Sequence, residues 1–156
     1  SLTQIGSNNL FMAYTHVAHD CMVGSHCIMA NNASIAGHVH VGDYVIIGGM
    51  SGVHQFCHIG AHSFIAANAL VLKDVPAYVM ASGHPAKPFG LNSEGLKRRG
   101  FDSDIILTIK RAYKEVYRKK QSVEEALSVI AASDDSSPAL DLFTNSISQS
   151  TRGIIR

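Results

Sequence analysis

Every sixth residue from Ile5 to Val71 is apolar: Ile5, Phe11, Val17, Val23, Met29, Ile35, Val41, Ile47, Val53, Ile59, Ile65 and Val71, without a gap. A period of six fits neither an α-helix nor a plain strand, which repeat at about 3.6 and 2 residues. It fits a chain that makes a short strand, turns, and does so again. The residue after each apolar one is usually small (Gly6, Ala18, Gly24, Ala30, Ala36, Gly42, Gly48, Gly60, Ala66), which is expected to let the chain turn. Four places after it stands a residue of modest size, such as Cys21, Cys27, Ala33 or Ser63, expected to fill the space beside the apolar one.

Three such units close one triangular coil of about 18 residues, three times six. The pattern is that of a left-handed parallel β-helix with hexapeptide repeats, an exception to the right-handed crossover rule. Residues 1–72 would give four coils spaced at about 4.8 Å. Cys21 and Cys57 then fall two coils apart in one column, roughly 9.6 Å and beyond disulfide reach. The three cysteines form no CxxC pair and read as small packed residues in a reducing compartment. Because the chain opens on Ser1 within the pattern, it is expected to be the C-terminal part of a longer polypeptide.

After Val71 the repeat stops. We expect the β-helix to span residues 1–74, an irregular linker punctuated by Pro76, Pro85 and Pro88 to span 75–91, and an α-helical C-terminal domain to span 92–156. Asn92 can cap a helix over 93–99 that stops at Gly100, and residues 103–119 carry Ile105, Ile109, Ala112, Tyr113 and Val116 at helical spacing. Ser122 with Glu125 forms a capping box, and Ser137-Pro138 opens a last helix.

No run approaches the roughly 18 apolar residues that span a bilayer, and Ser1-Leu2-Thr3-Gln4 has no signal-peptide character. A cytoplasmic protein without stable membrane insertion is therefore expected. The net charge of +1 hides an asymmetry: residues 87–120 hold ten basic and four acidic residues, whereas residues 1–86 hold one and three. That surplus points to an anionic partner or to a solvated helical face.

Folding the sequence onto an 18-residue coil gathers histidines. The turns after Val17, Ile35 and Val53 are one corner of three successive coils. At that corner His19 and Gln55 share a column, His54 stands one step before, His38 one step after, and His16 on the strand leading in. Asp20 joins them. Imidazole titrates near neutrality and can take a proton from a hydroxyl. His26 with His62, and His40 with His58, stack at two other phases.

The strings His16-Val17-Ala18-His19-Asp20-Cys21, Ala36-Gly37-His38-Val39, Gly48-Gly49-Met50, Val53-His54-Gln55-Phe56-Cys57 and Gly90-Leu91-Asn92-Ser93-Glu94-Gly95-Leu96-Lys97-Arg98-Arg99-Gly100-Phe101 resemble the UDP-N-acetylglucosamine O-acyltransferase family, which opens lipid A synthesis. The resemblance runs to Ser150-Thr151-Arg152-Gly153. It implies a cytoplasmic homotrimer that moves a 3-hydroxyacyl chain from acyl carrier protein to the sugar 3-hydroxyl. It implies His19 as general base, Asp20 as its orienter, and the Gly37 N–H as oxyanion donor. His16, His38, His54 and Gln55 would hold sugar nucleotide and acyl chain; Asn92, Glu94, Arg98 and Arg99 would hold uridine and phosphate. Phe64 and Ala67 are candidates for gauging the acyl chain. No cofactor, metal or nucleic acid is called for, and the basic 87–120 region gains acyl carrier protein as its partner.

Other readings stay open. One is the related N-acyltransferase acting on an acylated glucosamine nucleotide. A second is a γ-carbonic-anhydrase-like trimer binding zinc through His19, His54 and His58, whose spacings of 35 and four nearly match that pattern. A third is a non-catalytic trimerising fragment.

Overall fold

The computed structural model describes residues 1–156, and twelve two-residue strands fall on the hexapeptide repeat. They stack into three faces of a prism. The first face carries β1 (Gln4–Ile5), β4 (Met22–Val23), β7 (His40–Val41) and β10 (His58–Ile59). The second carries β2 (Leu10–Phe11), β5 (Ile28–Met29), β8 (Ile46–Ile47) and β11 (Phe64–Ile65); the third carries β3 (His16–Val17), β6 (Ser34–Ile35), β9 (Gly52–Val53) and β12 (Leu70–Val71). All neighbours within a face are parallel and one coil apart, as in Gln4 opposite Met22, Leu10 opposite Ile28 and His16 opposite Ser34. The molecule is a parallel β-helix of hexapeptides followed by helices.

In each strand the second residue points inward and the first outward, so the period-six apolar residues form the core. Met29, Ile35, Ile47, Ile59 and Ile65 are at most 2% exposed, each burial stabilising by about 1.5–3 kcal/mol. The modest residues of the repeat fill the space between them: Cys21, Cys27, Ala33, Val39, Val45, Cys57 and Ser63 are buried, and all three cysteines are free thiols.

The chain turns three residues after each apolar one. Every sixth residue from Asn8 to Asn68 has φ between 59° and 67°, in the left-handed region. The small residue of the repeat serves another purpose than turning. A Cβ on Gly42, Gly48 or Gly60 would stand 2.3–2.6 Å from the backbone nitrogen of Ala61, Ala67 or Ala77, so smallness there admits the close approach of the next coil.

The stretch expected as an irregular linker contains a hairpin, β13 (Val79–Gly83) and β14 (Ala86–Leu91), which extends the second face by pairing β13 with β11. Its prolines read as breakers, but Pro88 lies on the outermost strand, beside a register shift between Met80 and Ala81, where proline is tolerated. Four helices follow: α1 (Ser93–Arg98), α2 (Ser103–Tyr117), α3 (Val123–Ala132) and α4 (Pro138–Ser148). Their starts follow the sequence. Asn92 caps Gly95 N–H, Ser122 and Glu125 form the reciprocal capping box, and Ser137 caps Leu140 N–H ahead of Pro138. The α2 face buries Ile106, Ile109, Ala112, Tyr113 and Val116, with Ile105 only partly covered. No helix is long and apolar enough to cross a membrane.

Candidate active site

The corner between the third and first faces carries the histidine cluster. Its three stacked turns bring Asp20, His38 and Phe56 into one column of left-handed residues, with His19, Gly37 and Gln55 in the adjacent column. The His19 ring lies directly over Gly37. A Cβ on Gly37 would stand 2.7 Å from its Cε1 and 2.8 Å from its Nε2, so only glycine lets the ring rest there. The Gly37 N–H has no acceptor within the chain, while the flanking amides of Ala36 and His38 are bonded to the Val53 and His19 carbonyls.

His19 Nδ1 is 2.9 Å from Asp20 Oδ2, and Asp20 Oδ1 accepts the Leu2 N–H at 3.0 Å from the coil above. The His19 contact, helped by the Leu2 N–H and nearby His38 and opposed by burial, holds the Asp20 carboxyl below its usual range. An ionised carboxylate only accepts, so Nδ1 carries the hydrogen and Nε2 keeps its lone pair. That nitrogen, on a side chain 72% exposed, makes no hydrogen bond within the chain.

His38 Nε2 is 3.8 Å from the same Asp20 oxygen, its ring meets His19 edge-on at 5.2 Å, and it stacks on Phe56 at 4.6 Å. His54 is exposed, with Nδ1 3.2 Å from the Gln55 carbonyl. His16 projects from the third face just ahead of the corner. Ala67 lies exposed in the turn after β11, bordering the third face, whereas Phe64 points outward from the second face, the one face that does not border this corner.

The corner between the first and second faces is different. His26, Tyr44, His62 and Tyr78 form a ladder of stacked rings at 4.7, 4.9 and 5.5 Å. Asn92 and Arg99 dock on it. Asn92 is buried, donates to the His62 carbonyl at 3.0 Å and caps α1; Arg99 bonds His62 Nδ1 at 3.1 Å and covers the Tyr44 ring. The sequence does not show their contact with His62, because it joins a coil to helix-flanking residues 30 and 37 positions away. Glu94 and Arg98 remain exposed, Glu94 being 3.7 Å from Lys97. Burial, and then Arg99, push the His62 imidazole down to about 4.

On the first face His40 and His58 stack at 4.5 Å, lining a cleft of about 720 Å³ between that face and α4. His58 therefore belongs to a face and not to the histidine corner, which removes the zinc arrangement built on His19, His54 and His58.

A hexapeptide prism followed by helices is the class to which the fold assigns this chain, and the sequence profile described as bacterial transferase hexapeptide (six repeats) matches residues 2–37. The profile described as UDP N-acetylglucosamine O-acyltransferase, domain 2, matches residues 74–155, more than half of the chain, and the chain belongs to that family. It is 51% identical over its whole length to an acyl-[acyl-carrier-protein]–UDP-N-acetylglucosamine O-acyltransferase of Stutzerimonas stutzeri, of which it covers 60%; the relative from Herminiimonas arsenicoxydans is also 51% identical and 61% covered. Its structure is similar to that of LpxA from Acinetobacter baumannii, with a TM-score of 0.94 and 50% identity over 97% of this chain and 59% of that one. LpxA from Moraxella catarrhalis gives a TM-score of 0.95 and 46% identity over 99% and 60%. The chain thus spans about three fifths of the length of these relatives.

Proposed function

We propose that this chain carries the catalytic corner of a cytoplasmic homotrimeric acyltransferase. The enzyme would move a 3-hydroxyacyl group from acyl carrier protein to the 3-hydroxyl of UDP-N-acetylglucosamine, the first step of lipid A synthesis. The observation that carries this reading is the His19 ring held by Asp20 over Gly37, with Nε2 free. The prism of residues 1–74 would wind left-handed, and the helices of 92–156 would form a second domain.

In the reaction, His19 Nε2 takes the hydroxyl proton as the sugar oxygen bonds to the thioester carbonyl carbon. The Gly37 N–H, free of any acceptor, donates to the developing oxyanion. Collapse breaks the carbon–sulfur bond, and the departing thiolate recovers the proton from His19. Asp20 keeps Nδ1 protonated and supports the transient imidazolium. His16, His38, His54 and Gln55 line the same corner and would hold the sugar nucleotide and the first part of the acyl chain.

Glu94 and Arg98 belong to the other corner. In a trimer whose acyl groove lies between subunits, that corner of one copy would face the histidine corner of the next, and Glu94, Arg98 and Arg99 would reach uridine and phosphate. Arg99 spends one nitrogen on His62 and keeps further N–H donors. Asn92 would act with them through its remaining N–H. Ala67, bordering the third face, would limit acyl length, whereas Phe64 would reach only a chain bound against a neighbouring copy. Acyl carrier protein would dock on the basic helices, where Lys97 and Lys110 rim an apolar cleft of about 240 Å³ floored by Phe101 and Ile106.

The test is direct. The full-length parent and its His19→Ala variant are incubated with UDP-N-acetylglucosamine and 3-hydroxyacyl carrier protein, and O-acylated product is measured. Undiminished turnover in the variant removes the assigned base.

A further inference from the structure

We propose that His19, Asp20 and His38 also form a binding site for a divalent first-row transition ion, zinc foremost, and that the bound ion silences the enzyme. The ligand atoms of the three side chains lie within 4.8 Å of one another, with Asp20 Oδ2 2.9 Å from His19 Nδ1 and 3.8 Å from His38 Nε2. Zinc holds nitrogen and oxygen ligands at about 2.0–2.2 Å, which sets neighbouring donors roughly 3.3 Å apart around a tetrahedron. The two separations from Asp20 bracket that value and the third lies within 4.8 Å, a gap that side-chain rotation can close.

Two imidazoles and one carboxylate suit zinc, cobalt or nickel better than magnesium or calcium, which favour oxygen. The ligands are also held in advance. Asp20 is fixed by the Leu2 N–H, His38 by its stack on Phe56, and both sit in the narrow left-handed backbone region. His19 is 72% exposed, leaving room for water to complete the coordination shell.

The chemical consequence follows from the two nitrogens of one ring. Without metal, Nδ1–H donates to Asp20 and Nε2 has the lone pair. An ion on Nδ1 takes that lone pair and leaves the neutral ring's hydrogen on Nε2, which then donates where it must accept. The ion would lower kcat by removing the base. This inhibitory half rests on the base role proposed above; the binding half does not.

Binding is tested on the chain itself with cobalt(II) and then zinc. We expect a visible cobalt band on addition of cobalt and its loss on displacement by zinc, with affinity reduced at least about tenfold in Asp20→Asn and His38→Gln. His40→Gln alters the stacked pair on the first face and should bind like the parent. No ion uptake at millimolar cobalt or zinc, undiminished binding in His38→Gln, or equal loss in His40→Gln overturns the site. Turnover by the full-length parent should fall with zinc and return with EDTA. Full turnover with stoichiometric ion bound overturns the inhibitory half and, with it, the assignment of the basic lone pair to Nε2.

Discussion

Two corners of this prism are built from the same backbone turn and nearly the same rings, yet they do opposite things. At one, His19 is 72% exposed and its Nδ1 faces a carboxylate; at the other, His62 is 9% exposed and its Nδ1 faces a guanidinium. A carboxylate makes Nδ1 the donor and leaves the Nε2 lone pair free. An arginine cannot accept, so it makes Nδ1 the acceptor and penalises a charged ring. The two rings stand one place apart in the repeat, and the partner and the exposure of each decide which of its nitrogens is left to accept.

The largest break in this comparison is His19→Ala in the full-length parent. The loss of general base catalysis should cut turnover by about 10²–10⁴, while the thermal midpoint hardly moves because the ring is exposed. Product formation and a melting curve measured on one preparation check both halves. A large drop in midpoint would make His19 a structural residue like His62.

The second break comes from acid. His62 is held neutral in the fold, with its pKa lowered to about 4 from 6.5. Above pH 6.5 neither folded nor unfolded chain protonates it. Between about 6.5 and 4 the unfolded chain takes up the proton and the folded one does not, so stability present above 6.5 is lost as pH falls, up to about 3 kcal/mol. Denaturant titrations across that window should show a shallower slope in His62→Gln than in the parent. Parallel slopes would mean that the ring is not buried neutral.

A third test is Gly37→Ala. The new methyl would meet the His19 ring at 2.7 Å, and the ring must swing away from the Gly37 N–H proposed as oxyanion donor. Misplacement by about 1 Å costs on the order of 10²-fold in turnover. Because the ring is exposed, stability should be nearly untouched, and retention of full activity would detach His19 from Gly37.

Much of one corner, and little of the other, was legible in the sequence. Counting in sixes and eighteens is enough to bring His19, Gly37, His38 and Gln55 together, since each turn repeats the same dihedrals and each coil sits in register on the last. The same count stacks His26 and His62, but it says nothing of what covers them. Arg99, Asn92 and Phe101 arrive from α1 and its flanks, and no periodicity connects a helix to a coil. The hairpin of β13 and β14 was hidden for a related reason. Gly83, Pro85 and Pro88 mark breaks locally, while the pairing that makes β13 a strand lies with Phe64 and Ile65 in the last coil. Within α2, Ile106 proved the buried isoleucine beside the half-covered Ile105, because the α3 and α4 contacts set the helix face.

The smallest effect, and the one that separates the two jobs at the buried corner, is at Asn92. Its Oδ1 caps α1 through the Gly95 N–H, and its Nδ2 ties that cap to the His62 carbonyl. Asn92→Ala removes both and should cost about 1–2 kcal/mol, the range for a lost cap with a buried acceptor left unpaired. Asn92→Ser retains a capping oxygen, so it should recover roughly half of that loss. If the two variants are equally destabilised, the tie to His62 carries the cost and the cap is incidental; if serine restores the whole loss, α1 is held by its cap alone and the bond to the histidine coil contributes nothing measurable. Either result changes how firmly Arg98 and Arg99 are presented, and a lowered affinity for the sugar nucleotide in both variants of the full-length parent would follow from a loosened segment.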